Sequence, residues 1–509
     1  MESISIREKH QTPGSTYEVV ALLLILLIFS ILGCLQATRL PIGWLNWGND
    51  VTAWGDEIMF VDPAANLFFS NQWTSASWYG QTQEQFWAGY PPLYSFLLYN
   101  WMHLFGFGLA TARSFNIFLT AATAILLWLS VKRLSLVVSA PGRIGLVLLV
   151  LFAQNYTFNL TTGRPDPLML LLSVTALLIT SVRSPFWRFG LLVAVCTLFP
   201  LTGLALVVHS IIIGVLILIF LRQKFIREAG AIALGLLFGL LGLYGFYKAN
   251  GVWDKFVFST KNNPTLVGYD LASGLSESMR FGGFLQNRNF QLLLIILIGV
   301  TIYQVMKGQF RWRSLLCFSL VASICIPFGM RLSGAYLFYY GWMAFVPLAI
   351  GFCSTLEALP FWKMQDRFER WVMPSIACLL ILLAMLGPYF RLVDLTLNWK
   401  ALDYVTVTNL IKQTVKPDDW VFSDSLSYYA VKQTGAVTMT HWYRDVIPTD
   451  EKDKVSIIVM RPSLLDETVK EIGGKWEESG EELTLKIRSL FRARPDLIEL
   501  RVYRRKDKT

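Results

Sequence analysis

FGLLVAVCTLFPLTGLALVVHSIIIGVLILIFL, residues 189–221, decides how the chain is threaded. One crossing of a hydrocarbon core takes roughly 20 residues, so this run is long for one helix and short for two. Basic residues settle the choice. They cluster at Arg7 and Lys9; at Lys132, Arg133 and Arg143; at Arg183 and Arg188; at Arg222, Lys224 and Arg227; at Lys307, Arg311 and Arg313; and at Lys363, Arg367 and Arg370. Short loops rich in Lys and Arg stay on the cytoplasmic side. Read as one span, 189–221 would move the last three clusters to the opposite face. Read as a hairpin turning at Pro200–Gly203, it keeps every cluster on one face.

Working outward from the hairpin, the apolar runs predict about eleven spans, near 17–38, 109–131, 144–158, 166–182, 187–200, 202–221, 229–249, 290–306, 314–330, 336–355 and 372–390. The first, YEVVALLLILLIFSILGCLQA (17–37), lacks a small-residue cleavage site and is longer than a signal-peptide core, so it reads as a retained helix. An odd number of crossings puts the N-terminus in the cytoplasm and the C-terminal segment outside it. The expected fold is mainly α, a polytopic helical bundle in the cell membrane. It has two parts, a transmembrane unit over 1–390 and a small extracytoplasmic α/β unit over 391–509.

Composition agrees. Of 509 residues, 54% are hydrophobic and 16% charged, too apolar for an ordinary soluble protein. The net charge of +10 sits almost entirely in turns between apolar runs, where it sets topology and does not point to nucleic acid. All six cysteines lie in apolar runs without CxxC spacing, and the four histidines are scattered, so neither a disulfide framework nor a His-based metal site is expected. After Leu397 the pattern changes to short β-branched strands such as DDWVFSDS, VSIIVM and IELRVYRR, with the helix LLDETVKEIGG between them. Nothing in this tail has catalytic spacing.

The first outer loop, 39–108, carries acids but no Lys or Arg after Arg39, and it is crowded with aromatic residues. That density suits segments lying at headgroup level, and PPLYSFLLYNWMHLFG (91–106) reads as an interfacial helix. Within the loop, WGDEIMF (54–60) sets Asp56 and Glu57 side by side, where two carboxylates are costly near lipid. Their position near the membrane plane suits an amphipathic substrate with a polar head. Asp56 also reads as a helix N-cap, a role compatible with acid–base work. Pro63, after Asp62, tolerates only a first helical turn and predicts a late or kinked helix there.

AANLFFSNQW (64–73), GYPPLYSFLL (89–98) and LFGFGLATARSFNIFLTAATAILLWLSVKRL (104–134) follow the Trp-Gly-Asp-Glu stretch in order. This series resembles the membrane glycosyltransferases of the C superfamily (the GT-C fold), and is most similar to the protein O-mannosyltransferase and aminoarabinose lipid A transferase branch. The likeness is continuous over 50–135, returns at GRPDPLMLLL (163–172), and returns weakly at RLSGAYLFYYGWMAFVPLAIG (331–351). It implies inverting transfer of a sugar from a polyprenyl-phosphate donor to a protein, lipid or glycan acceptor on the outer face.

Such a reaction needs a carboxylate to take the acceptor's proton and cations to stabilise the departing phosphate. The resemblance assigns Asp56 as base, with Glu57 positioning the acceptor or sharing the work. Arg164 and Asp166, in TTGRPDPL (161–168), are substrate-binding candidates, with an interfacial salt bridge and helix cap as the alternative. Arg331 suits a phosphate by its forked hydrogen bonds, with Tyr336 beside it; the alternative for Arg331 is snorkelling to headgroups. Asp56 and Asp166 together would offer hard oxygen ligands to magnesium or manganese, and metal dependence stays open. The rival class, a transporter or lipid flippase, would carry mid-membrane ionisable groups and an internal repeat, and the sequence displays no such repeat. The expected partners are the lipid-linked sugar donor, membrane lipids and an acceptor.

Overall fold

The computed structural model describes residues 16–40, 55–78, 85–152, 162–221, 226–261, 288–332, 341–358, 392–393, 395–440, 447–488 and 496–506. The side chains of Asp56, Arg288 and Arg331 lie outside the described set, as do Tyr336 and the expected span 372–390.

The apolar runs are helices: α1 (Thr16–Ala37), α2 (Gly55–Ser70), α3 (Leu93–Phe105), α4 (Leu109–Arg133), α5 (Ala140–Phe152), α6 (Asp166–Ile179), α7 (Pro185–Thr202), α8 (Leu204–Leu221), α9 (Ile226–Ala249), α10 (Trp253–Lys261), α11 (Arg288–Met306), α12 (Leu315–Leu332) and α13 (Trp342–Ala358). Among them α1, α4, α7 and α9 are long and apolar enough to cross a membrane, and shorter apolar helices accompany them. Their outward faces are apolar too, with Leu23, Leu27, Ile211, Leu237 and Leu241 all exposed. Such surfaces are stable against lipid and not against water.

The helical run ends at Thr202, and α8 starts beyond Gly203. Leu192 packs with Ala231. A Cβ on Gly235 would strike Cys196, and one on Gly239 would strike the Thr197 carbonyl. Contacts that advance together along both helices make α7 and α9 parallel, and Arg188 pairs with Glu228 at their shared starting end, 2.7 Å apart. The helix between two parallel neighbours must run back, so the chain reverses at Gly203. The hairpin required by the charge pattern is present, and the two glycines that allow α7 and α9 to touch are small-residue packing sites.

The bundle has two polar ends. At one, Arg143 grips Glu18 through Nε–Oε1 at 2.6 Å and Nη2–Oε2 at 2.8 Å, and Trp128 Nε1 donates to the same carboxylate at 2.6 Å. Lys132 and Arg143, from one expected cytoplasmic cluster, both meet there. Glu57, Asp62, Arg113, Arg164 and Asp166 occupy the other end, all buried.

Residues 395–506 add α14 (Tyr404–Thr414), β1 (Trp420–Ser423), α15 (Tyr428–Gln433), β2 (Val437–Thr440), α16 (Thr449–Lys454), β3 (Ile457–Met460), α17 (Pro462–Ile472), β4 (Trp476–Ile487) and β5 (Asp496–Arg505). The sheet order is β2-β1-β3-β5-β4. β1 is parallel to both β2 and β3, while β5 is antiparallel to β3 and β4. Alternate residues of its strands feed two cores, Val421, Ile457 and Val459 on one face and Phe422, Ile458 and Met460 on the other.

This unit is seated on the Glu57 end. The Leu40 amide donates to the Leu402 carbonyl at 2.8 Å, and Arg39 pairs with Asp403 at 2.7 Å. Ala76 of the first loop joins the core of the sheet, and the Thr440 amide donates to its carbonyl at 3.2 Å.

Two expectations for the first loop change. Helix α2 begins at Gly55 and carries Pro63 in its interior, which excludes the late start expected from the proline. Asp62 beside the proline is wholly buried and accepts from Ser75 Oγ at 2.8 Å, the Ala76 amide at 2.9 Å and Tyr428 Oη at 2.6 Å. Nor do the loop aromatics all lie at headgroup level. Trp78, Trp87 and Tyr94 are core residues around α2, where Trp78 and Tyr94 meet Phe60 edge-on at 5.7 and 6.5 Å between ring centres. Large rings stabilise most where they are fully desolvated and paired edge to face. Phe69, Phe96 and Phe105 keep an outward face.

Candidate active site

The first turn of α2 holds the site. Glu57 is 1% exposed, and Arg113 of α4 meets it as a fork, Nε to Oε1 at 3.2 Å and Nη2 to Oε2 at 3.0 Å. The remaining guanidinium nitrogen, Nη1, donates to the Arg39 carbonyl at 2.8 Å. Tyr429, from α15 of the C-terminal unit, donates its hydroxyl to Glu57 Oε1 at 2.9 Å. Burial first, and then the negative charge of Glu57, push the Tyr429 phenol well above its ordinary range, so it stays a protonated donor. A buried carboxylate with three hydrogen bonds and a matched cation is a fixed acceptor. It ties the start of α2 to α4 and to the C-terminal unit.

Residues 162–166 close over this turn. Asn116 of α4 receives the Tyr94 hydroxyl on Oδ1 at 3.1 Å and donates Nδ2 to the carbonyls of Thr162 and, at 3.0 Å, Arg164. Gly163 lies so close to α2 that a Cβ there would stand 2.8 Å from Val61 and 3.4 Å from Glu57 Cγ. Arg164 Nε donates to Asp166 Oδ2 at 3.1 Å, and Trp342 Nε1, at the start of α13, donates to Oδ1 at 3.2 Å. The Arg164 guanidinium also lies 5.6 Å from the centre of the Phe60 ring.

Glu57, Arg164 and Asp166 therefore converge on one end of the bundle from α2, the loop before α6 and the first residue of α6. Trp342 ties the segment that follows Arg331 and Tyr336 to the same place. Asp56 heads α2 on the backbone beside Glu57; its side chain, like that of Arg331, and the whole of Tyr336 lie outside the described residues. A small cavity next to Glu57 is lined by Leu40, Ile58, Leu109, Tyr404, Ser425 and Tyr429, so both units contribute to it.

A divalent cation fits poorly at Asp166. Each carboxyl oxygen already accepts a hydrogen bond, and one donor is a guanidinium that would repel a metal. Among the described residues no three His, Cys, Asp or Glu side chains gather as ligands.

Sequence reading missed Arg113, Asn116, Trp342 and Tyr429. An arginine inside the apolar LATARSFNIFL (109–119) does carry a signal, because a buried cation demands a partner. The pair Tyr428–Tyr429 carries none.

No protein-family model matches the chain, and no curated protein matches it in sequence. Its fold does have solved counterparts. The aminoarabinose lipid A transferase ArnT from Cupriavidus metallidurans, bound to undecaprenyl phosphate, superposes with a TM-score of 0.57 at 14% identity, over 95% of this chain and 98% of that one. Its apo form gives a TM-score of 0.60 at 15% identity, over 95% and 97%. An oligosaccharyltransferase from Archaeoglobus fulgidus also matches, with a TM-score of 0.49 at 13% identity over 88% and 70%. The chain has the GT-C fold of ArnT, the fold that the sequence motifs resemble.

Proposed function

We propose that this protein is an integral-membrane inverting glycosyltransferase that takes a sugar from a polyprenyl-phosphate donor at the Glu57 end of its bundle. The observation that carries the reading is the meeting of Glu57, Arg164 and Asp166 at the start of α2, whose first turn also bears Asp56. The fold of ArnT, whose structure holds undecaprenyl phosphate, supports a donor of that class.

In this reading Asp56 takes the proton of the acceptor nucleophile as it attacks the anomeric carbon. The bond from that carbon to the phosphate oxygen breaks with its electron pair leaving on the phosphate, and the configuration inverts. Arg331 and Tyr336 hold the phosphate, and Asp166 orients Arg164 toward the donor. Glu57 serves Asp56 by fixing the helix start. No step runs through a metal. The Glu57 end and the seated C-terminal unit face the extracytoplasmic side, since Lys132, Arg143 and Arg188 lie toward the opposite, cytoplasmic end.

Binding of the carrier tests this reading. Undecaprenyl phosphate is expected to raise the melting temperature of the purified wild type, while undecaprenol, which lacks the phosphate, does so far less. Arg331→Ala should weaken binding about tenfold or more, and Arg331→Lys less, because lysine keeps the charge and loses the fork. Wild-type affinity in both variants would reduce Arg331 to a headgroup contact and remove it from the site.

A further inference from the structure

The first turn of α2 is held by two partners of different origin. Arg113 belongs to the helical bundle, whereas Tyr429 comes from the C-terminal unit, 372 residues away in sequence. A domain could be anchored without touching Glu57 at all. Asp62 already binds Tyr428, Lys432 lies 3.5 Å from Asp62 and hydrogen-bonds Asn66, and Arg39 and Leu40 form a separate fastening to Asp403 and Leu402. Tyr429 adds a buried hydrogen bond to the one carboxylate that adjoins Asp56, and its ring packs 5.7 Å from that of Phe107.

We infer that Tyr429 is a positioning residue for sugar transfer: through Glu57 it fixes the start of α2, and so the aim of Asp56, only when the C-terminal unit is seated. The inference rests on Asp56 being the base. It makes the C-terminal unit a working part of the site, and it gives Tyr428 a different duty, anchoring at Asp62, more than a helical turn further along α2. The tyrosine acts as an uncharged donor. Burial keeps its phenol protonated, and the groups that face it are Glu57, Arg113, Tyr94 and Tyr428. Activity should therefore show no titration assignable to Tyr429.

Two phenylalanine variants of the full-length protein test this, since each removes one hydroxyl and keeps the ring. Tyr429→Phe should lower kcat about tenfold, the loss of one hydrogen bond to a charged group, with the donor KM unchanged. Both variants should lower the melting temperature to a similar extent, and Tyr428→Phe should leave kcat within about twofold. A second readout needs no activity. Backbone hydrogen exchange over 55–60 should quicken about tenfold in Tyr429→Phe and stay unchanged in Tyr428→Phe. Unchanged exchange over 55–60 in Tyr429→Phe, or loss of kcat that merely follows melting temperature in both variants, overturns the inference. A wild type that transfers no sugar while Tyr429→Phe still loosens α2 counts against the transferase reading and leaves the coupling of Tyr429 to the helix start standing.

Discussion

Replacing Asp56 with asparagine should lower sugar transfer by roughly 10²- to 10⁴-fold, the usual contribution of a general base. Asparagine keeps the size of aspartate and can still cap a helix through its side-chain oxygen, so a capping residue alone would tolerate the change. Folding and donor binding should survive. Glu57→Gln should cost less in rate and more in stability. It leaves the buried Arg113 guanidinium without its counter-charge, so stability falls more than rate does. Assays of kcat alongside melting temperature for both variants separate the base from the strut. Near-normal turnover by Asp56→Asn would end the assignment of Asp56. Equal collapse of kcat in both variants, at unchanged melting temperature, would mean that the two carboxylates share the proton transfer.

The second large effect belongs to Arg113. Its pair with Glu57 is almost fully buried, at 0% and 1% side-chain exposure. Removing one partner of such a pair typically costs about 3–5 kcal/mol, because the other charge stays desolvated and uncompensated. Arg113→Ala should therefore melt well below wild type in detergent. Arg113→Lys should recover only part, since one ammonium cannot reproduce contacts to both Glu57 oxygens and to the Arg39 carbonyl. The double variant Arg113→Met with Glu57→Leu should be more stable than Arg113→Ala, because no charge is left buried. An Arg113→Ala protein as stable as wild type would show that this end of the bundle admits water and that the fork does not organise α2.

Much of the architecture could be read from residues whose placement is dictated by solvent. Arg183 and Arg188 before the 189–221 run, and Arg222, Lys224 and Arg227 after it, cannot cross lipid cheaply, so their spacing predicts the reversal at Gly203. Glu57, Arg164 and Asp166 stand out as candidates through the resemblance of the motifs that carry them, and the structure brings the three to one end of the bundle. What stayed hidden was set by long-range packing. Trp78, Trp87 and Tyr94 have the composition of interfacial residues, and only the closure of loop one around Phe60 makes them core. Asp62 looked like a local break because proline follows it, yet its partners Ser75, Ala76 and Tyr428 stabilise the helix there. Tyr429 could not be found at all, since nothing local in SYYAVK (427–432) distinguishes a phenol facing a carboxylate from one facing solvent.

The central claim is tested most directly by following the donor itself. Purified protein in nanodiscs would be incubated with a panel of polyprenyl-phosphate sugars, alone and with a membrane-extract acceptor fraction, and free polyprenyl phosphate measured against time. Wild type should release it from at least one donor, faster with the acceptor fraction, and Asp56→Asn should not. Intact donors throughout with wild type that binds undecaprenyl phosphate, or equal release by Asp56→Asn, would contradict the claim.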